Sequence, residues 1–100
     1  MNINNRNTHI IGEFRRQSGL VGGDFEGAPL LLLSTQGART NQARTTPLMY
    51  LQDHDRYVVF ASKAGATTNP DWFYNLIANP VVTIEVGSET FEAIANVLEG

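Results

Sequence analysis

The middle of the chain carries its most continuous apolar stretch, the sequence PLLLLST at residues 29–35. This run is too short for a typical helix and is bounded by a proline and a polar cluster, so it predicts a strand buried on both faces. Two β-rich segments follow at residues 45–51 and 56–62, and the QDHD sequence between them predicts a hairpin turn. A polar loop from Gly37 to Arg44 is expected between the first two strands.

A short amphipathic helix is predicted before these strands. Ile10, Ile11 and Phe14 share one helical stripe, which places the helix at residues 8–17. Thr8 is its expected N-cap.

A second helix is predicted after the third strand. Asn69 is its expected N-cap, Pro70 suits the first helical position, and Asp71 complements the positive end of the helix. Asn79 and Pro80 are expected to end it.

A final hairpin is predicted from VVTIEV at residues 81–86, a Gly-Ser turn and ETFEAIANVL at residues 89–98. Alternate side chains of the last strand are expected to face inward (Phe91, Ala93, Ala95, Val97) and outward (Glu92, Ile94, Asn96). Five strands, mostly linked by hairpins, with a helix between the third and the fourth predict a mainly β fold with short helices, of class α+β. The expected architecture is a small antiparallel barrel.

Composition bounds the size and class of the protein. A chain of 100 residues, 42% hydrophobic and 17% charged, predicts one domain at residues 1–100 around a barrel core at residues 28–98. The net charge of −3 disfavours nucleic acid and anionic lipid as partners, and the absence of cysteine excludes disulfides and thiolate sites. Because no leader-like or membrane-spanning segment is found, a cytoplasmic location is expected, with attachment to a membrane surface as the alternative.

The polar loop after the first strand carries uncompensated positive charge. Arg39 and Arg44 lie in a stretch with no aspartate or glutamate between Gly27 and Gln52. Guanidinium groups match the geometry of phosphate and carboxylate oxygens, so an anionic ligand is predicted. The alternative is that both arginines are simply solvated, as most surface arginines are.

A second polar loop begins at the end of the third strand. If the strands form a meander, Ser62 and Lys63 would converge with the two arginines, and the start of the second helix would direct its N–H groups at the same region. Trp72, Phe73 and Tyr74 would add aromatic surface there, although packing in the core is the favoured role for Trp72.

Side chains for hydrolytic or metal chemistry are not grouped in the sequence. His54 lies between Asp53 and Asp55, where a solvated turn is favoured over a metal or catalytic role. Any enzymatic reactivity is therefore expected to come from an organic cofactor that the protein holds.

Three long segments resemble the deazaflavin-dependent nitroreductase family, oxidoreductases that use coenzyme F420 and have a split β-barrel fold of the FMN-binding type. The segments are GAPLLLLSTQGARTNQARTTPLMYL, RYVVFASKAGATTNPDWFYNLIANP and VTIEVGSETFEAIANVL, in the order of the family and close to its spacing over most of residues 26–98. The resemblance implies transfer of hydride from the reduced deazaflavin to an electron-poor acceptor such as an enone, a quinone or a nitro compound.

The resemblance also implies which residues hold the cofactor and the acceptor, with no metal and no covalent catalysis by a side chain. The phosphate and glutamates of the cofactor tail would be held by Ala38, Arg39, Thr40 and Arg44. The other implied cofactor contacts are Thr45, Thr46, Pro47, Leu48, Met49, Phe60, Ala61, Ser62, Lys63, Asp71, Trp72, Phe73, Tyr74 and Asn75, and the residues expected near the acceptor are Met49, Tyr50 and Ser62.

Two departures from the family pattern affect these expectations. The family often has a pair of basic residues where Ala38 and Arg39 stand, so one cation is missing here. Family members usually continue past the last strand into a segment that walls the substrate pocket, whereas this chain stops at Gly100. Either a fragment or an unusually open pocket is expected.

Other functions stay open at this point. A noncatalytic protein that sequesters or carries coenzyme F420 would need the same anion-binding residues. A related split barrel that binds FMN or haem is a second alternative, and nucleic-acid binding through the arginines is a distant third. The expected partners are a small-molecule acceptor and a second copy of the chain in a homodimer.

Overall fold

The computed structural model describes residues 3–22, 27, 29–60 and 70–97. In chain order its elements are α1 (Ile3–Arg16), β1 (Leu30–Gln36), β2 (Ala43–Met49), β3 (Leu51–Asp53), β4 (Arg56–Val58), α2 (Asp71–Ala78), β5 (Val81–Val86) and β6 (Glu89–Ile94). Four strands form a sheet in the order β2-β1-β5-β6, and β3 pairs with β4 in a second sheet. Each of these strand pairings is antiparallel, which confirms the predicted mainly β class with short helices.

Strand β1 forms the centre of the core, as its leucine run predicts. The leucines alternate between two faces of the sheet, and all of them are buried. The α2 face carries the buried cluster Leu31, Leu33, Trp72, Leu76, Val82 and Ile84, and the α1 face carries Ile10, Phe14, Val21, Leu30 and Leu32. The prediction of a strand buried on both faces is confirmed.

The β5-β6 hairpin largely follows the predicted alternation. Phe91, Ala93 and Ala95 are half-buried against the cluster on the α2 face, while Ile94 is exposed. Val97, which was expected to face inward, is exposed and lies three residues beyond the end of β6.

The predicted start of the first helix is wrong. Helix α1 begins at Ile3 rather than at residue 8, so Thr8 lies inside the helix and is not its N-cap. The added turn consists mostly of asparagine and arginine, which continue no apolar stripe and therefore leave no periodic signal. Arg15 and Arg16 lie in the last turn of the helix, where positive charge is favourable for the helix dipole.

The predicted start of the second helix is wrong by one residue. Pro70 occupies the N-cap position with extended backbone angles (φ −68°, ψ 161°) and makes no side-chain cap, and the helix proper starts at Asp71. Asn69 lies outside the described residues. The predicted end is confirmed, since Asn79 is the C-cap. Within the described ranges, no helix is long and apolar enough to cross a membrane.

The predicted second strand, at residues 45–51, is divided in two. Strand β2 ends at Met49, and β3 begins at Leu51. Between them, Tyr50 donates its backbone N–H to the carbonyl oxygen of Pro29 at 3.1 Å. Because Leu30 pairs with Met49, this hydrogen bond continues the β1-β2 register by one residue. Pro29 has no N–H to donate in return, so the ladder ends there.

The predicted hairpin turn after the second strand is confirmed. His54 and Asp55 form the turn between β3 and β4, and His54 adopts a left-handed φ of 59°. The following strand, predicted at residues 56–62, ends at Val58. Residues 61 and 62 lie outside the described residues.

An ion pair attaches the end of α1 to the sheet. Arg15 donates from Nε to Oε1 of Glu85 at 3.0 Å and from Nη2 to Oε2 at 2.8 Å. The hydrogen bond to Glu85 raises the pKa of Arg15, desolvation opposes this change, and the charge of Glu85 adds to it. Because the folded-state pKa is raised, the stabilisation is complete below the unfolded-state pKa and is lost only as the pH rises through the folded-state value. The contribution of the Arg15 guanidinium to the stability of the fold is therefore constant across neutral pH.

Candidate functional site

A compact loop joins β1 to β2 and carries Arg39; residues 37–42 are called the arginine loop. Gly37 donates its N–H to the carbonyl of Gln42 at 2.8 Å, and Asn41 donates its N–H to the carbonyl of Gly37 at 3.0 Å. Asn41 adopts a left-handed φ of 58°, which asparagine tolerates. A Cβ atom at Gly37 would lie 2.9 Å from Oγ1 of Thr40 and 3.3 Å from the carbonyl oxygen of Gln42, so a larger residue would fit only if the Thr40 side chain shifted.

Helix α2 holds the arginine loop and the end of β1 through two side-chain amides. Oδ1 of Asn75 accepts a hydrogen bond from the backbone N–H of Ala38 at 3.0 Å, and Nδ2 of Asn75 donates to Oγ1 of Thr35 at 3.4 Å. One turn later, Nδ2 of Asn79 donates to the carbonyl of Gln36 at 3.4 Å. Thr35 and Asn75 are both buried. The loop, the end of β1 and α2 therefore form one hydrogen-bonded unit.

The predicted anion-binding arginines are available to a ligand. Arg39 and Arg44 are exposed, and neither forms an ion pair with a carboxylate among the described residues. Arg15 and Arg56, in contrast, each pair with an acidic side chain. An unpaired guanidinium keeps its donors for an external phosphate or carboxylate.

Alternate residues of β2 form a row on the α2 face. Leu48 lies opposite the buried Leu31, and Arg44 and Thr46 share that face by strand alternation. Tyr50 packs against the same cluster. Arg44, Thr46, Leu48 and Tyr50 are called the β2 row. At about 3.3 Å per residue, the row extends about 20 Å from a cationic end to an aromatic end.

The other predicted contacts on β2 lie on the opposite face. Thr45, Pro47 and Met49 share the α1 face, where Oγ1 of Thr45 is hydrogen-bonded to Oγ of Ser34 at 2.8 Å and Met49 lies opposite Leu30. A flat ligand on one face of β2 contacts only one of the two sets. The structure therefore does not bring Met49 together with the β2 row.

The aromatic end of the β2 row is fixed by neighbouring rings. Tyr50 meets Tyr57 of β4 edge to face, with ring centroids 5.3 Å apart, and Tyr57 lies 5.9 Å from Phe91 of β6. These contacts connect the two sheets and hold the ring of Tyr50. Its hydroxyl makes no hydrogen bond with the described part of the chain, so it is free to donate one to a ligand.

Helix α2 presents some of its predicted contacts and buries others. Asp71 and Tyr74 are exposed, and the half-buried Phe73 meets Tyr74 edge to face at 5.6 Å. Trp72 belongs to the buried cluster on the α2 face, which is the packing role favoured from the sequence. Asn75 is engaged by protein groups through both its oxygen and its nitrogen.

Three of the predicted site residues, Ala61, Ser62 and Lys63, lie outside the described residues. Their convergence with the arginine loop stays a prediction. Phe60, which precedes them, is exposed. His54 lies in an exposed turn with its Nδ1 2.9 Å from Oδ1 of Asp53, and the described residues contain no group of three or more potential metal ligands.

The hydrogen-bonded unit of the arginine loop, the end of β1 and α2 contains two residues that were not predicted as members of the site, Thr35 and Asn79. The available signal was the spacing of Asn75 and Asn79, since residues four apart lie on one face of a helix. Their partners carry no such signal, because 37 and 43 residues separate the two amides from the atoms they bind at Ala38 and Gln36.

A family model described as F420H(2)-dependent quinone reductase matches residues 7–100. A curated relative from Mycobacterium tuberculosis, named F420H(2)-dependent quinone reductase, is 47% identical over 83 residues. The aligned region covers 82% of this chain and 56% of the relative, so the chain spans about half the length of that protein.

Two solved structures have similar folds. One is described as an F420-H2 dependent reductase and has a TM-score of 0.65 at 36% identity, covering 72% of this chain and 64% of the other. The second is described as a domain-swapped dimer and has a TM-score of 0.66 at 33% identity, covering 93% of this chain and 68% of the other. These similarities confirm the predicted split β-barrel fold.

Proposed function

Because the chain belongs to the F420H(2)-dependent quinone reductase family, we propose that it binds reduced coenzyme F420 and passes hydride to an electron-poor acceptor, above all a quinone. Enones and nitro compounds are further acceptors of the same chemical type. The observation that carries the proposal is the β2 row. Its cationic end suits the phosphate and glutamates of the cofactor tail, and its aromatic end suits a planar ring system.

The residues present fit this cofactor. Arg39 and Arg44 would bind the anionic tail, since no described carboxylate occupies their donors. Thr46 and Leu48 would line the middle of the cofactor, because both are partly exposed on the α2 face. The remaining cofactor contacts implied by the family, including those at residues 60–63, stay predictions.

The chain's own contribution to the reaction is orientation and charge stabilisation. When bound, the reduced deazaflavin supplies a hydride from its C5 carbon. The protein must hold the acceptor beside that position and stabilise the negative charge that develops on the acceptor oxygen. Tyr50 can do this, because Tyr57 fixes its ring while its hydroxyl is free to donate a hydrogen bond.

Tyr50→Phe tests this role. The variant keeps the ring contact with Tyr57 and removes only the hydroxyl, so we expect kcat to fall about 10-fold, the worth of one hydrogen bond, with coenzyme affinity unchanged. The rate is measured from the oxidation of reduced coenzyme F420 by a soluble naphthoquinone. An unaltered kcat would exclude Tyr50 from the acceptor site.

The proposed function is tested by binding and turnover in parallel. Titration with oxidised coenzyme F420, followed by its visible absorbance, measures binding, and assays with quinone, enone and nitro acceptors measure turnover. A noncatalytic carrier would bind the coenzyme and reduce none of the acceptors. An FMN- or haem-binding protein would instead copurify with the spectrum of that chromophore.

We further propose a homodimer. A similar solved structure is described as a domain-swapped dimer, and Val81 and Ile94, which pair across β5 and β6, expose apolar side chains on the α1 face. A species of twice the chain mass is expected in analytical ultracentrifugation, and a monomer at all concentrations would contradict the proposal. The cytoplasmic location stays a prediction.

A further inference from the structure

The buried amide of Asn75 joins helix α2 to the backbone of the arginine loop. Its oxygen accepts the N–H of Ala38 at 3.0 Å, and its nitrogen donates to Oγ1 of Thr35 at 3.4 Å. Ala38 directly precedes Arg39. Among the hydrogen bonds of the described residues, the bond to Ala38 is the one that connects residues 37–42 to α2.

We infer that Asn75 is a positioning residue, which holds the arginine loop in the conformation that binds the anionic tail of the cofactor. The inference rests on the proposed function for the identity of the anion. The backbone bonds of Gly37 fix the shape of the loop, but they do not fix its direction relative to α2. The amide of Asn75 supplies that direction.

The burial of Asn75 supports an indirect role. Asn75 is 8% exposed and lies between Trp72 and Leu76 in the sequence of α2, both of which pack in the core. Its oxygen and nitrogen are both bonded to protein groups, the N–H of Ala38 in the loop and the hydroxyl of Thr35 near the end of β1. A loop that is already ordered loses no further conformational entropy when the ligand binds. The tail therefore binds more tightly.

Asn79 provides a matched control on the same helix. It is also an asparagine that donates through Nδ2, but its partner is the carbonyl of Gln36 at the end of β1 and not the arginine loop. Loss of the Asn79 amide therefore removes a contact between α2 and the sheet without releasing Ala38.

The test compares Asn75→Leu with Asn79→Leu, because leucine keeps the side-chain volume and removes the hydrogen bonds. Binding is measured for coenzyme F420 and for its precursor that lacks the phosphate and glutamates. We expect Asn75→Leu to weaken binding of the full coenzyme about 10-fold, the worth of one hydrogen bond, and to leave the precursor within about 2-fold. Asn79→Leu should leave both ligands within about 2-fold.

A second comparison uses a background without the arginines. In Arg39→Ala/Arg44→Ala, the further change Asn75→Leu should have no effect on binding, because the loop that Asn75 positions then carries no cation for the tail. Equal losses for the coenzyme and its precursor would overturn the inference, since they would indicate direct contact or general damage. The inference would also be overturned if Asn75→Leu weakened coenzyme binding as much in the arginine-free background as in the wild type.

Hydrogen exchange separates this inference from the proposed function. In the unliganded wild-type protein, the amide of Ala38 should exchange slowly for an exposed loop residue, and Asn75→Leu should accelerate it while the amides of β5 and β6 are unchanged. Fast exchange at Ala38 in the wild type would overturn the inference without any variant. If the loop is protected as expected but coenzyme F420 does not bind, the proposed function fails and the ordering role of Asn75 stands.

Discussion

Leu32→Ala is expected to lower the free energy of unfolding by about 3 to 5 kcal/mol, because it opens a cavity that the surrounding core can fill only in part. Leu32 is 0% exposed and packs with Phe14 and Ile10 of α1. A domain of this size has a total stability of about 5 to 15 kcal/mol, so the variant is expected to lie close to unfolding. Urea denaturation measures the change.

Trp72 provides a reporter on the opposite side of the sheet. It is the single tryptophan of the chain and belongs to the cluster on the α2 face, whereas Leu32 belongs to the cluster on the α1 face. If both clusters unfold together, Trp72 fluorescence and far-ultraviolet circular dichroism will give the same shifted midpoint. Leu20→Ala is the control, because Leu20 is 71% exposed and its truncation should cost less than about 0.5 kcal/mol. Similar costs for the two variants would contradict the assignment of β1 as the centre of the core.

The position of β1 could be predicted because its signal is local. An unbroken leucine run bounded by Pro29 and a polar cluster predicts a strand buried on both faces, and helices cover both faces in the structure. The break at Tyr50 could not be predicted in the same way. The β-rich pattern continues through that residue, and the break coincides with a backbone bond to Pro29, which is distant in sequence.

The start of each helix was predicted less accurately than its end, because several residues within a few positions are suitable as the N-cap. Thr8 is a good N-cap by residue type, yet α1 continues through it to Ile3. Pro70 fits either the first helical position or the cap, and its extended ψ of 161° places it in the cap.

The candidate site also combines features that the local sequence predicts with features that depend on contacts between distant residues. The positive charge at this end of the sheet could be predicted from Arg39 and Arg44 because it depends on residue type and on the absence of neighbouring acids. The predicted extent of the loop was wrong, since Arg44 lies in β2 and only Arg39 lies in the arginine loop. The division of β2 into two faces depends on the register with β1, which pairs Leu31 with Leu48. The connection through Asn75 depends on tertiary packing, which no local pattern encodes.

Arg44→Ala is expected to weaken binding of coenzyme F420 by about 1.5 to 3 kcal/mol, or about 10- to 150-fold, which is the usual worth of a hydrogen bond to a charged group. Arg44 lies on the α2 face at the cationic end of the β2 row and has no carboxylate partner among the described residues. The protein therefore does not neutralise the guanidinium of Arg44. The substitution removes an unpaired positive charge from the proposed tail site. Titration with the oxidised coenzyme at moderate salt measures the loss.

Two comparisons decide whether that loss reflects contact with the tail. The precursor without phosphate and glutamates should bind the wild type and Arg44→Ala within about 2-fold of each other, because the partner charge is absent. Arg56→Ala removes the same charge from the β3-β4 hairpin, where Nη2 of Arg56 lies 3.4 Å from Oδ2 of Asp53. If the loss in Arg44→Ala reflects a local contact, Arg56→Ala should leave coenzyme affinity unchanged. A local contact also predicts that raising the salt concentration weakens coenzyme binding to the wild type more than to Arg44→Ala, since the variant has one fewer cation to screen. Equal losses in Arg44→Ala and Arg56→Ala would instead indicate a general effect of net charge and would remove Arg44 from the tail site.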